Sequence, residues 1–532
     1  MAGMDIDALT RFQMHGQDIP TLLAHWADRK PGHLALVWEP RSGDRQEWTY
    51  AKLVDKVARL ASGLVQRGIA IGDKVLIHAD NCPEMVFAWL ACATIGAVGV
   101  TTNTRSVLDE VEYFVTKSQC VAAITQPQYA TLVQSAGSSL KWIAVTDDNG
   151  GEAATNDELE HGLESFSAMY GHSASWTGRI PDPMLPFGIM FTSGTTNRPK
   201  AVVHTHANAI WASRCGPRNI DLGPDDRYLI YLPCFHVNAQ SWSFFSVFGA
   251  GATAVLMPKW STSRFWDVVN RNGITHISLM PFCMGTLGDP NRPAAPTLRV
   301  GVFGLILPNL DRMFGIDVIA AYGMTELVTH AITGKPNEML PMRSMGHVAP
   351  GYEIAVVNKE TGVLCAEGET GELWMRATRG VQIFLEYYDN PEANESSFED
   401  GWFKTGDMVM MGAGGNVFYQ ERDKDLLKVG GENVSAKEVE ELAATVAGVG
   451  QVAVVGKHHE WLDQVVVAFV IKAPNAPADA ELEQAVISAC AAKLADFKVP
   501  RAVYFVDEFP LGTLDKLLKN KLRETADAMP AV

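Results

Sequence analysis

The segment Phe191-Thr192-Ser193-Gly194-Thr195-Thr196-Asn197-Arg198-Pro199-Lys200 concentrates hydroxyls, a glycine and a cation directly after an apolar run at 187–191. Gly194 lets backbone N–H groups approach an anion, Thr192, Ser193, Thr195 and Thr196 add side-chain donors, and Lys200 supplies a point charge. That is chemistry for cradling phosphate. The pattern G-x-x-x-x-G-K-[ST] occurs nowhere in the chain, which disfavours a P-loop NTPase. By itself the segment reads equally as a polar surface turn.

Other positions hold groups of complementary chemistry. In Tyr322-Gly323-Met324-Thr325-Glu326 an aromatic face suited to stacking a purine precedes a glycine that admits close backbone approach. Thr325 and Glu326 then offer a phosphate contact and a hard oxygen ligand for Mg²⁺. Asp407, beyond Trp402 and a glycine-containing turn, is a carboxylate able to accept both hydroxyls of a ribose, although an Asp after Gly is also an ordinary turn residue. Lys516 heads a basic run that includes Lys519 and Lys521, and a positioned ammonium there would stabilise charge building on a phosphoryl group. His236 sits among Tyr231, Phe235 and Trp242, where a histidine serves either packing or chemistry. H-E-x-x-H and G-x-S-x-G are absent, so neither a zinc hydrolase nor a serine-hydrolase triad is supported.

Taken in order, these motifs resemble the adenylate-forming superfamily of acyl-CoA synthetases, carrier-protein adenylation domains and firefly-type luciferases. Gly401-Trp402-Phe403-Lys404-Thr405-Gly406-Asp407 is similar to the family's ribose motif, and Glu421-Arg422-Asp423-Lys424-Asp425 to its hinge. The resemblance runs from about residue 20 to the C-terminus. It implies that Thr192 to Thr196 and Lys200 hold phosphate, that Tyr322, Gly323 and Met324 meet adenine, and that Asp407 with Arg422 holds ribose. It further implies Lys516 as the adenylation lysine, Thr325 and Glu326 at the phosphates and Mg²⁺, Lys424 as pivot, and His236 between acyl pocket and CoA tunnel. Gly430-Gly431-Glu432-Asn433 looks like the loop that swings in to line that tunnel, while Ser435 and Glu438 read as a helix capping box. The expected activity is an ATP-dependent, AMP-forming carboxylate–CoA ligase using ATP, Mg²⁺ and coenzyme A; the alternative is a free-standing enzyme loading a carrier protein in trans.

Two departures from the family pattern stand out. Asp515 precedes Lys516 where the family has glycine, leaving Lys519 and Lys521 as rivals, and 301–319 lacks the family's Gly-Gly-Ala-Pro run, so no adenine contact is carried there. By resemblance the acyl pocket draws on 210–215, 236–242, 280–282, 304–305 and 329–330. Its mixture of Asn238, Gln240 and His330 with Trp211, Trp242, Phe244 and Phe282 suits a medium-sized, bulky or polar-substituted acid. The stretches 235–240, 263–266 and 430–435 look most like the carnitine and crotonobetaine CoA ligase branch.

The elements that must position these residues follow from composition and periodicity. A chain of 532 residues has room for roughly three or four domain-sized units, or fewer large ones, and 47% apolar against 20% charged residues supports large cores. Short β-branched runs at 74–78, 97–102, 121–125, 142–146, 187–191 and 227–232 alternate with helical patterns, which predicts α/β layering on mostly parallel sheets. The character changes near 412–425, giving a large domain at 1–423 and a small mobile one at 424–532. Forty-four Lys and Arg against 61 Asp and Glu leave a net charge of -17, which repels nucleic acid and anionic lipid. The eight cysteines form no C-x-x-C pair and read as reduced thiols. The run 85–100 is split by Gly96 into a buried helix and a buried strand and is not a membrane span. With no basic leader and no peroxisomal address at its end, the protein is expected to be cytoplasmic. A homo-oligomer is compatible with the sequence.

Overall fold

The computed structural model describes residues 6–147, 162–171, 179–192, 198–286, 292–293, 296–307, 310–420, 426–510 and 517–531. Among these the chain forms four sheets. Apolar β-branched runs flanked by helices supply the centres of the first two. The first sheet has nine strands, and its core from Leu34–Trp38 through Thr253–Leu256, Arg227–Ile230, His276–Ser278 and Val300–Phe303 to Asp317–Tyr322 is parallel. The second has eight strands; Val98–Thr101, Lys74–His78, Cys120–Thr125, Ile143–Val145 and Leu163–Ser165 run parallel, with Pro186–Thr192 and Lys200–Thr205 as an antiparallel pair at one side. Parallel sheets need both faces covered, so their strands read as continuous apolar runs rather than alternating ones.

Between the sheets lies the helix Pro83–Ile95, buried on nearly every face. Trp89 meets Phe187 of one sheet and Phe244 and Phe245 of the layer beside it. Gly96 ends the helix at φ 80, a left-handed conformation that glycine adopts without strain, and releases the chain into Val98–Thr101. The alternative of a spanning helix is thus replaced by a helix and strand inside one core.

A third, antiparallel sheet carries Thr370–Arg376 and Trp402–Met411, and strands up to Val417–Tyr419 pair within it. Residues from 426 onward pair only among themselves: Leu426–Val429, Glu432–Ser435, Val449–His459, Asp463–Lys472 and Ala502–Phe505 make a fourth sheet with its own apolar cluster around Val454, Val466 and Leu482. The fold class is α/β, a large part with stacked mostly parallel sheets and a smaller α+β part. The helix that Ser435 caps is Ala436–Ala443, and the five-residue helix Leu310–Phe314 lies in the segment before Tyr322.

Candidate active site

The C-terminal edge of the first sheet brings the separated motifs together. Tyr322 ends the strand Asp317–Tyr322, Asp407 lies on Trp402–Met411 of the third sheet, and the Tyr322 hydroxyl donates to Asp407 Oδ2 at 2.6 Å. Two residues 85 positions apart in sequence become one surface. Asp407 is buried, and its backbone N–H donates to Thr405 Oγ1. Met324 packs beside Tyr322 against the third apolar cluster.

Thr325 and Glu326 are held by their backbones: His204 donates from Nε2 to the Thr325 carbonyl at 2.7 Å, and Phe384 N–H donates to the Glu326 carbonyl at 2.8 Å. The Glu326 carboxylate is buried and accepts from the Tyr387 hydroxyl at 2.9 Å. The same Tyr387 ring carries Lys200 Nζ 4.5 Å above its centroid. Thr192 stands opposite Lys200 in antiparallel register, so both flank the loop between their strands. Ser193, Gly194, Thr195 and Thr196 lie outside the described residues, as do Arg422, Lys424 and Lys516. Tyr387 carried no signal in the sequence, although it joins Glu326 to Lys200.

A buried carboxylate fixed at one oxygen by Tyr387 is the hard-oxygen chemistry Mg²⁺ takes when phosphate and water complete its shell. The residues fit the ion: Glu326, with Thr325 preceding it in sequence, would hold it, and it would supply positive charge to offset that of the phosphates.

Past Glu326 the chain turns sharply. Val328, β-branched and buried, has φ 67 and ψ -57, and Thr329 N–H donates to the Leu327 carbonyl at 2.7 Å, a strained three-residue turn. That turn delivers Thr329 and His330 against Trp242, which sits on the π-helical turn Asn238–Phe244. The Trp242 and His330 rings meet edge-on at 4.6 Å. Trp242 Nε1, Thr329 Oγ1 and both His330 nitrogens are buried with no hydrogen-bond partner among the described residues. Burial pushes His330 down to about 3, so it is neutral at physiological pH. A Cβ at Gly323 would lie 2.6 Å from the Thr329 carbonyl and 2.7 Å from Trp242, so only glycine fits between them. Other expected pocket residues are oriented by hydrogen bonds. Gln240 donates to Thr101 and the Cys234 carbonyl, Asn238 accepts from Ser278, and Trp211 donates to the Tyr352 hydroxyl.

The fourth sheet reaches this region through one hairpin. Gly430 and Gly431, at φ 60 and 91, form the two-residue turn joining Leu426–Val429 to Glu432–Ser435. Positive φ at both positions matches the twist of a tight hairpin and requires residues without a Cβ penalty. A Cβ on Gly431 would stand 3.0 Å from the Met280 methyl of the large part. Glu432 Oε1 lies 3.2 Å from His236 Nε2. Crowding by protein disfavours the charged imidazole, but the Glu432 carboxylate prevails and raises the His236 pKa; His236 in turn helps hold Glu432 below the ordinary carboxylate value. Lys519 and Lys521 are occupied by ion pairs with Glu440 at 2.6 Å and Glu524 at 3.2 Å.

Known proteins resemble this chain in sequence and fold. Residues 23–388 match the model of the AMP-binding enzymes and residues 438–516 that of the AMP-binding enzyme C-terminal domain, and the chain belongs to this family. A crotonobetaine/carnitine–CoA ligase of Salmonella paratyphi C (strain RKS4594) is 32% identical over 504 residues, 92% of this chain and 95% of that protein. A double mutant of o-succinylbenzoate CoA synthetase from Bacillus subtilis, bound with its product analogue OSB-NCoA, superposes with a TM-score of 0.80 at 25% identity, covering 96% of this chain and 98% of its own. The same Bacillus subtilis enzyme in complex with the acyl-adenylate intermediate OSB-AMP gives 0.66 at 25% identity, over 95% and 98%. The activity of this chain is that of an ATP-dependent, AMP-forming carboxylate–CoA ligase.

Proposed function

We propose that this ligase activates a medium-sized carboxylic acid with a polar substituent, at a site shared by a large domain, 1–423, and a mobile small domain, 424–532. In the first half-reaction a carboxylate oxygen attacks the α-phosphorus of ATP, the bond to the bridging oxygen breaks, and pyrophosphate leaves. Ser193 to Thr196 with Thr192 and Lys200 cradle phosphate, Thr325 and Glu326 serve phosphate and Mg²⁺, Tyr322, Gly323 and Met324 take adenine, and Asp407 with Arg422 takes ribose. Lys516 stabilises the charge that grows on the phosphoryl oxygens. In the second, a CoA thiolate attacks the acyl carbonyl and AMP departs, with His236, Gly430 and Gly431 lining the approach of the thiol and Lys424 as pivot between the two states.

The observation that carries the reading is the convergence of Tyr322 with Asp407 and of Glu326 with Tyr387 and Lys200, beside a docked Gly430-Gly431 hairpin. The contrast between TM-scores of 0.80 and 0.66 for two states of one enzyme supports placing the present arrangement on the thioester-forming side. The unpartnered polar atoms of Trp242, Thr329 and His330 support a polar acid, because such groups are costly in a dry core unless a ligand satisfies them. A neutral His330 beside an indole face also admits the trimethylammonium group of carnitine-type acids without charge repulsion. The unpaired state of all eight cysteines supports a cytoplasmic location, and among the described residues no helix is long and apolar enough to cross a membrane.

The test is pyrophosphate release from ATP over short, medium and long fatty, aryl-alkanoic, betaine and steroid acids, each with and without CoA. Turnover requiring CoA and a polar medium-sized acid is expected. Preference for long unsubstituted fatty acids overturns the substrate class, and acid-dependent release indifferent to CoA favours a carrier protein as acceptor.

A further inference from the structure

We infer that Lys498 is a positioning residue for the second half-reaction, holding the small domain against the large one through a buried ionic contact with Glu110. The inference rests on the CoA-ligase reading above. Lys498 lies on the short turn Asp496–Lys498 of the small domain, and Glu110 in the first turn of the helix Leu108–Ser118 of the large one. Their side chains are 7% and 6% exposed, and Nζ stands 2.5 Å from Glu110 Oε1. Glu110 uses its other oxygen to accept from the Val107 N–H at 3.1 Å, so the carboxylate is aimed by its own helix.

The lysine is held from its own side as well. Glu438 Oε2 lies 3.2 Å from Lys498 Nζ. Ser435 caps the helix Ala436–Ala443, accepting from the Glu438 N–H, but the expected capping box is only half made, because the Glu438 carboxylate engages Lys498 instead. One cation is thus shared by a carboxylate that travels with it and a carboxylate on the other domain. Burial works against the charged ammonium; Glu110 and then Glu438 overcome it and raise the Lys498 pKa. Around this contact Arg105 pairs with Asp496 at 2.6 Å and lies 4.6 Å from the centre of the Phe497 ring, and Lys493 meets Asp109 at 3.2 Å. Those outer pairs are exposed and contribute little, whereas a buried pair is strongly sensitive to loss of one partner.

The consequence for the reaction is geometric. The helix following Glu432–Ser435 carries Glu438, so the ion pair anchors the base of the hairpin whose tip places Glu432 beside His236 and Gly431 beside Met280. Rotation of the small domain has to break the Glu110 contact while Lys498 keeps Glu438, which makes the pair selective for one arrangement.

The experiment compares wild type, Lys498→Met, Glu110→Gln, the double variant and Lys493→Ala. Acid-dependent ATP–pyrophosphate exchange and thioester formation from supplied acyl-adenylate plus CoA are measured separately, using the acid selected by the panel above. The ratio of thioester formation to exchange is expected to fall about 10-fold or more in Lys498→Met and severalfold in Glu110→Gln, with the double variant no worse than the worse single one. Lys493→Ala leaves the ratio within about 2-fold. Hydrogen exchange of the unliganded protein should show deprotection of Leu108–Ser118 and Glu432–Ser435 in the first two variants, with Val449–His459 unchanged as a sign that the small domain remains folded. Equal loss in both half-reactions, or unaltered exchange protection, overturns the assignment. A wild type that exchanges pyrophosphate but forms no thioester overturns the ligase reading instead, independently of Lys498.

Discussion

At the scale of single residues, the chemistry divides between groups aimed by neighbours and groups aimed by their own backbone. Glu326 is aimed by Tyr387, Asp407 by Tyr322 and His236 by Glu432, each across a large sequence separation. Lys516→Ala should lower adenylation by about 10²–10³, about 2.7–4 kcal/mol of transition-state stabilisation. Thioester formation from supplied acyl-adenylate should suffer less, and equal damage to both steps would remove Lys516 from its role. The His236–Glu432 contact makes a signed prediction. Because the His236 pKa is raised above 6.5, the charged pair is intact below that ordinary value and is lost as pH rises through the raised one. Titration of the His236 imidazole by NMR should give a value above 6.5 in wild type and a lower one in Glu432→Gln; identical values would show that Glu432 does not govern it.

At the scale of elements, the site depends on two turns with opposite tolerances. The Gly430-Gly431 hairpin needs positive φ, whereas Gly323 needs space, because Trp242 and the Thr329 carbonyl close over it. Gly323→Ala should therefore push apart the π-helical turn Asn238–Phe244 and the strained turn at Val328. Overpacking of this kind costs about 1–3 kcal/mol of stability, and the acid KM should rise more than the ATP KM. Unchanged acid KM would place the acyl group away from Trp242 and His330. The sequence makes the phosphate-loop strand, the buried helix before Gly96 and the cap at Ser435 legible, since these depend on local spacing. It carries no sign that Trp211 donates to the Tyr352 hydroxyl or Gln240 to Thr101, because those partners lie far away in sequence.

At the scale of the molecule, burial of titratable groups couples the fold to pH. His78, His204 and His276 are pushed down to about 4 by burial in the two sheets and their flanks. An unfolded imidazole takes its proton near 6.5, so between 6.5 and 4 the unfolded chain binds more protons than the folded one, and stability falls as pH falls. Each such histidine contributes a slope of about 1.4 kcal/mol per pH unit within its window. Urea unfolding at pH 7.5 and pH 5 should show the loss, and His78→Gln should make it smaller; equal pH dependence in both proteins would exclude His78 as a source.

What the sequence determined by itself was the inventory and its order. The run at 191–200, the Tyr322 and Asp407 motifs and Lys516 are legible as residue types at short fixed spacing, and the family they resemble is the one the chain belongs to. Tertiary structure decided which groups meet. Tyr387 reaches Glu326, Lys498 reaches Glu110 across the two domains, and Val328 adopts positive φ only because the surrounding core over-determines its backbone. The physical reason is common to all three. Such contacts are set by how sheets stack and domains dock, and local propensity and periodicity carry no information about a partner tens or hundreds of residues away.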